Sequence, residues 1–147
     1  MPAEGYLYNN ALLQIVKGAL DIENDVVEVL LVSSSYTFNP AHTTVSQITN
    51  ELVNDTGTGY ERKVVAGIAA TIESGDRVKV AANNVTYTAI NTTANARAAV
   101  IYKKVTNDAD SPLICYLQGL ELATNGSDIE LRMPDEGIFE ILNTLPA

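Results

Sequence analysis

Residues 26–32 read Val-Val-Glu-Val-Leu-Leu-Val and run directly into Ser33-Ser34-Ser35-Tyr36-Thr37-Phe38-Asn39-Pro40. A strand with one wet face alternates apolar and polar residues. A run apolar at nearly every position suits a strand covered on both faces. The Ser, Thr, Asn and Pro that follow supply turn chemistry and end it.

The second half of the chain reads as successive strands. Residues 61–72 make one, and Arg77-Val78-Lys79-Val80 alternates polar and apolar. The 85–90 stretch alternates too, with Val85, Tyr87 and Ala89 on one face and Thr86 and Thr88 on the other. Residues 96–104 and 113–117 follow, separated by the turn Asn107-Asp108-Ala109-Asp110-Ser111-Pro112. Asn125-Gly126 marks a tight turn, 129–133 alternates cleanly, and 138–142 ends the series after Pro134-Asp135-Glu136-Gly137. Strands at this spacing predict an all-β fold, mainly an antiparallel sandwich of jelly-roll-like form. Val29, Leu31, Val78, Val80, Tyr87 and Leu131 are among its expected core residues.

One short helix precedes the strands. Leu12, Leu13, Ile15, Val16, Ala19 and Leu20 recur at helical spacing over 9–20, with Asn9 or Asn10 as its cap and Gly18 weakening its end. Residues 1–8 are expected as a docking arm, with Tyr6, Leu7 and Tyr8 able to lie on a surface. Residues 33–59 form a long excursion, regular only near 45–52, and loops of this length commonly serve interfaces. The 147 residues make one domain, large enough to bury a core.

Charge narrows the partners. Nine Lys and Arg against eighteen Asp and Glu give a net charge of −9. Such a surface repels phosphate backbones, whose affinity for proteins comes mainly from Lys and Arg, so no nucleic-acid partner is expected. No apolar run approaches a membrane span, and the start Met1-Pro2-Ala3-Glu4-Gly5 lacks the basic lead and apolar stretch of a secretory signal. The expectation is a soluble protein made in a cytoplasm, without a membrane partner. Cys115 is the sole cysteine and, among Leu113, Ile114, Tyr116 and Leu117, reads as a small buried hydrophobe.

A search for chemistry yields little. His42 is the only histidine and stands without a Gly-X-Ser-X-Gly elbow or other nucleophile signature. One His and one Cys far apart in sequence make a poor transition-metal set. Asp21, Glu23 and Asp25 alternate but lack the glycine and glutamate of a calcium loop, and Asp108 and Asp110 sit in a polar turn. Gly57-Thr58-Gly59 lacks the Gly-Lys-Ser/Thr ending of a phosphate loop, and Tyr60 follows at once. No catalytic residue, metal ligand or cofactor is assigned, and no enzyme is expected.

Several phrases, in this order and spacing, carry a likeness. They are Asp21-Ile22-Glu23-Asn24-Asp25-Val26-Val27-Glu28-Val29-Leu30-Leu31, then Ser35-Tyr36-Thr37-Phe38-Asn39-Pro40-Ala41-His42, then Gly57-Thr58-Gly59-Tyr60-Glu61-Arg62-Lys63. Ala99-Val100-Ile101-Tyr102-Lys103, Ser111-Pro112-Leu113-Ile114-Cys115-Tyr116, Thr124-Asn125-Gly126-Ser127-Asp128-Ile129-Glu130-Leu131 and Glu136-Gly137-Ile138 complete them. The chain thereby resembles a family of small β-rich structural proteins of tailed bacteriophages. It departs from them at Tyr87, where many relatives look to have Trp. The resemblance implies a virion structural protein. Within the virion it suggests a capsid cement or decoration protein, bound outside the shell of the major capsid protein and bridging its subunits. The alternative is a tail, neck or fibre-associated component; an enzyme cleaving host-surface saccharides is the reading from a different class. A cement protein matched to local threefold axes would be a symmetric homo-oligomer, most simply a trimer. Its anchors are expected among Tyr6, Tyr8, Tyr36, Phe38 and Tyr60, each of which equally suits a core or sheet face.

Overall fold

The computed structural model describes residues 4–53 and 59–143. Its elements are β1 (Glu4–Leu7), α1 (Asn9–Lys17), β2 (Val27–Val32), β3 (Lys63–Val64), β4 (Ala69–Glu73), β5 (Arg77–Ala81), β6 (Val85–Tyr87), β7 (Ala96–Lys103), β8 (Leu113–Leu122), β9 (Ile129–Leu131) and β10 (Phe139–Leu142). A single 3-10 turn, Val45–Gln47, interrupts the connection between β2 and β3. Every strand pairing is antiparallel. The molecule is an all-β sandwich with one short helix.

A five-stranded sheet in the order β1-β8-β7-β2-β3 forms the middle layer. On one side lie a three-stranded sheet, β10-β5-β4, and the pair β6-β9. Val29, Leu31, Ile101, Cys115 and Leu117 of the large sheet meet Val80, Tyr87, Leu131, Ile138 and Phe139 there, forming the main core. The opposite face presents Leu30, Val32, Val100, Tyr102 and Tyr116, and a second core closes over them with Tyr8, Tyr36 and Val45. Alternate β2 residues thus enter different cores, which is why its sequence is apolar almost throughout.

The segment between β2 and β3 supplies the cover of that second face. Backbone bonds run from Leu52 N–H to Leu31 O (2.9 Å), Ser33 N–H to Asn50 O (3.0 Å), Val45 N–H to Ser111 O (3.0 Å) and Leu113 N–H to Thr43 O (2.9 Å). Gln47 Oε1 accepts the Thr43 and Thr44 amides at 2.6 and 3.2 Å, which fixes the 3-10 turn. The excursion expected as an interface loop therefore does structural work over its described residues, packing as a third layer.

Three local expectations are corrected. Helix α1 spans Asn9–Lys17, shorter than 9–20, and its N-cap is Tyr8 with no capping side chain. Gly18 ends it in the left-handed conformation (φ 76°), its N–H turned back to Gln14 O and Ile15 O. The lead expected as a docking arm is, over its described part, a strand of the large sheet, with Tyr6 directly opposite Tyr116. Gly5 permits this, because a Cβ there would collide with the Ile138 carbonyl. Val78 is 37 % exposed and not in the core. It shares a face with Val80, but its partner there on β4 is Ile72, itself 79 % exposed.

Candidate functional site

Four of the five aromatics proposed as anchors converge on one place. The register that sets Tyr6 against Tyr116 places both on the outer face of the large sheet. Phe38 comes in from the excursion and stacks on Tyr116, with centroids 4.8 Å apart and planes inclined by 8°. Tyr6 lies 6.2 Å from Phe38, and Tyr8 meets Phe38 edge-on at 5.0 Å. Tyr36 packs 5.8 Å from Tyr116. Such offset and edge contacts suit the ring quadrupoles and hold each ring in a defined pose.

The cluster is graded from inside to outside. Tyr8 is fully buried, Tyr36 and Tyr116 nearly so, Phe38 is half-buried, and Tyr6 is 42 % exposed. Tyr8 and Tyr36 share a hydrogen bond of 2.8 Å between hydroxyls, and the Tyr36 hydroxyl reaches His42 Nδ1 at 3.4 Å. Burial raises the pKa of both Tyr8 and Tyr36, and the same cause raises Tyr116. These phenols stay neutral, so the cluster offers aromatic surface and not a titrating group. Tyr6 donates to Glu4 Oε2 at 2.8 Å, which raises its pKa as well. Of the predicted anchors, Tyr6 and Phe38 form the outward ledge. Tyr8 and Tyr36 are its foundation and are corrected to core residues.

Tyr60 stands apart from the ledge, in the main core. Its hydroxyl donates to Glu51 Oε2 (2.6 Å) and accepts the Leu31 amide (3.2 Å). The same Glu51 binds Arg62 through both oxygens, at 2.9 and 2.7 Å, while Arg62 also holds Asp108 at 2.7 and 3.1 Å. The Arg62 guanidinium lies 5.6 Å from the Tyr102 ring centroid, and Tyr102 donates to Glu28 Oε1 at 2.6 Å. These carboxylates raise the Arg62 pKa, and its guanidinium lowers that of Asp108. Tyr60 is thus corrected from surface anchor to a member of a structural clamp.

The other candidate groups are spoken for by the fold. Asp25 Oδ2 accepts the Asp21 amide (2.8 Å) and pairs with Lys103 at 3.2 Å, and Glu23 Oε2 accepts the Ala70 amide at 3.0 Å. Among the described residues, no cluster of three His, Cys, Asp or Glu could hold a metal ion. Cys115 is fully buried on the main-core side, where desolvation raises its thiol pKa, and His42 belongs to the other core's rim. Gly57 and Thr58 lie outside the described residues, and Gly59 (φ 85°) backs directly onto Ala89 and Ile90. No described helix is long and apolar enough to cross a membrane.

Tyr116 is the member of the aromatic site that sequence reading did not select, and His42, weighed there only for catalysis, joins it through Tyr36. Tyr116 carried a weak signal, since it follows the apolar Leu113-Ile114-Cys115 and reads as one more buried position. Its pairing with Tyr6 spans more than a hundred residues and has no local trace. Compared with known proteins, the chain matches no family model, no curated protein and no solved structure.

Proposed function

We propose that this protein is a structural component of a tailed-bacteriophage virion: a decoration protein that binds the outside of the capsid and bridges subunits of the major capsid protein. It has no catalytic role and works as a homotrimer. The observation that carries this reading is the Tyr6–Phe38 ledge. Phe38 rests on the buried Tyr8 and Tyr116 and Tyr6 packs against Phe38, so both rings are held in place and binding them costs little conformational entropy. Rigid aromatics at the centre of a patch are the usual source of interface energy. The sequence resemblance to small phage structural proteins points the same way and names the partner class. Binding to the assembled shell and not to free subunits stabilises the shell by mass action.

The test is a binding measurement on capsids stripped of this protein. Tyr6→Ala and Phe38→Ala each lower affinity for the shell by about tenfold, roughly 1.4 kcal/mol, while circular dichroism stays unchanged. Labelling of intact virions places the chain on the head. Label confined to the tail, or capsid binding untouched by both substitutions, overturns the reading.

A further inference from the structure

β4 is the free edge of the β10-β5-β4 sheet, and every residue on it but Glu73 is exposed. Along an edge strand, alternate residues turn their N–H and C=O towards the neighbouring strand and away from it. The Ala70 amide bonds outside the sheet, to Glu23 Oε2 at 3.0 Å, so Ala70 and Ile72 aim their backbone groups away from β5. An open edge of this kind is a template for another strand, and native proteins blunt such edges.

The edge suits a second copy of itself. Laid antiparallel with Thr71 opposite Thr71, β4 would pair along its full length, Ala69 with Glu73 and Ala70 with Ile72. That register opposes no like charges. Glu73 would meet Ala69, while Arg77 and Lys79 lie a strand back, across from Glu73 and Thr71. Ala70 and Ile72 would exchange both of their bonds across the seam, so the two Ala70 amides would donate half of the central bonds. Glu23 takes that donor away, and its own position is fixed. In the turn between α1 and β2, Asp25 Oδ2 accepts the Asp21 amide (2.8 Å) and Asn24 Nδ2 donates to Asp21 Oδ2 (2.8 Å). Asp25 also pairs with Lys103 of the large sheet at 3.2 Å. A turn anchored on the large sheet thus sets a carboxylate on the edge of the other sheet. It excludes an incoming strand twice, by occupying the amide and by leaving a charge to be buried in the seam.

We infer that Glu23 is an edge guard: its carboxylate on the Ala70 amide keeps β4 from pairing with β4 of a second copy, and the turn between α1 and β2 holds it there. The guarded edge stays single in the native protein, so any symmetric assembly of copies forms through other surfaces. This holds whether or not the protein decorates a capsid, and the aromatic ledge takes no part in it.

Cross-linking at Thr71 tests it. In the register above, the two Thr71 residues form a non-hydrogen-bonded pair, where facing cysteines are close enough to join. Cys115, fully buried, stays silent. Thr71→Cys protein with Glu23 intact is expected to stay mainly uncross-linked under oxidised glutathione. Adding Glu23→Ala raises the disulfide-linked fraction by about tenfold. In the Glu23→Ala single variant, at concentrations where it is monomeric, hydrogen exchange at the Ala70 amide also accelerates by about tenfold. Glu23→Gln keeps an acceptor oxygen but loses the charge, so its cross-linking falls between the two. Its excess over the Glu23 protein carries the test if circular dichroism shows the alanine variant to be misfolded. Cross-linking as extensive with Glu23 as without it, no cross-linking in either folded Glu23 variant, or Ala70 exchange unchanged by Glu23→Ala overturns the inference.

Discussion

Arg62 joins three parts of the chain that are remote in sequence: Glu51 from the end of the excursion, Asp108 from the β7–β8 turn, and the Tyr102 ring on β7. Its side chain is 25 % exposed, between the surface pairs that contribute almost nothing and the buried pairs whose disruption is severe. Arg62→Met keeps the stem, leaves Glu51 with the Tyr60 hydroxyl alone and Asp108 to solvent, and is expected to cost about 1 kcal/mol in denaturant unfolding. The pH dependence carries a signature. Arg62 holds the Asp108 carboxyl below its ordinary value. A depressed native pKa stabilises the fold above the unfolded carboxylate value, near ~4, and that contribution is lost as pH falls through the lower native value. The gap between wild type and Arg62→Met therefore narrows between pH 7 and pH 3. A constant gap would mean that Arg62 acts through packing alone. Tyr87 presents the opposite case: its hydroxyl is fully buried with no hydrogen-bond partner among the described residues. Tyr87→Phe removes an unpaid desolvation cost and is expected to raise stability by about 1 kcal/mol.

Helix α1 owes its end to one backbone conformation. Gly18 has φ 76°, and a Cβ there would meet nothing within 4 Å. Gly18→Ala therefore isolates the cost of the left-handed conformation, and thermal unfolding should show a loss of about 1 kcal/mol. Gly5→Ala should be far more damaging, because the Ile138 backbone blocks its Cβ and β1 would have to leave β10. The contrast also marks what local sequence could reveal. Gly18 announced a helix end within the helix's own pattern. Gly5 gave no sign, because its constraint comes from Ile138, just ahead of β10 and more than a hundred residues away. The alternating strands β5, β6 and β9 were legible for the same local reason, though their ends were not. Residues 61–72 read as one strand yet split at Val65-Ala66-Gly67-Ile68, where Gly67 takes φ 68°. The aromatic ledge was half legible. Tyr6 and Phe38 drew notice as aromatics in polar segments, but depth is set by tertiary packing, so Tyr8, Tyr36 and Tyr60 could not be told from them.

At the scale of the molecule, two cores share one sheet. β2, β7 and β8 give alternate side chains to each core, so the layer formed by the excursion cannot be lost without exposing Leu30, Val100 and Tyr102. Those three are fully buried, and baring them removes several kcal/mol of apolar burial from a fold whose whole margin is about 5–15 kcal/mol. The β1–β8 pairing adds a second tie, since it joins Glu4 to Gln118 and sets the first described strand against one more than a hundred residues later. Independent melting of the excursion is therefore expected to be unfavourable, and unfolding should be a single cooperative transition. The tyrosines allow the check. Four of the seven tyrosines, Tyr8, Tyr36, Tyr102 and Tyr116, lie in the second core and weight the near-ultraviolet dichroism towards it, and the backbone signal reports the sheets. Coincident denaturation curves, with calorimetric and van't Hoff enthalpies in agreement, meet the expectation. An earlier near-ultraviolet transition, with the backbone signal intact, would show that the third layer is a separable lid and that its packing on β2 is weaker than the burial of its side chains implies.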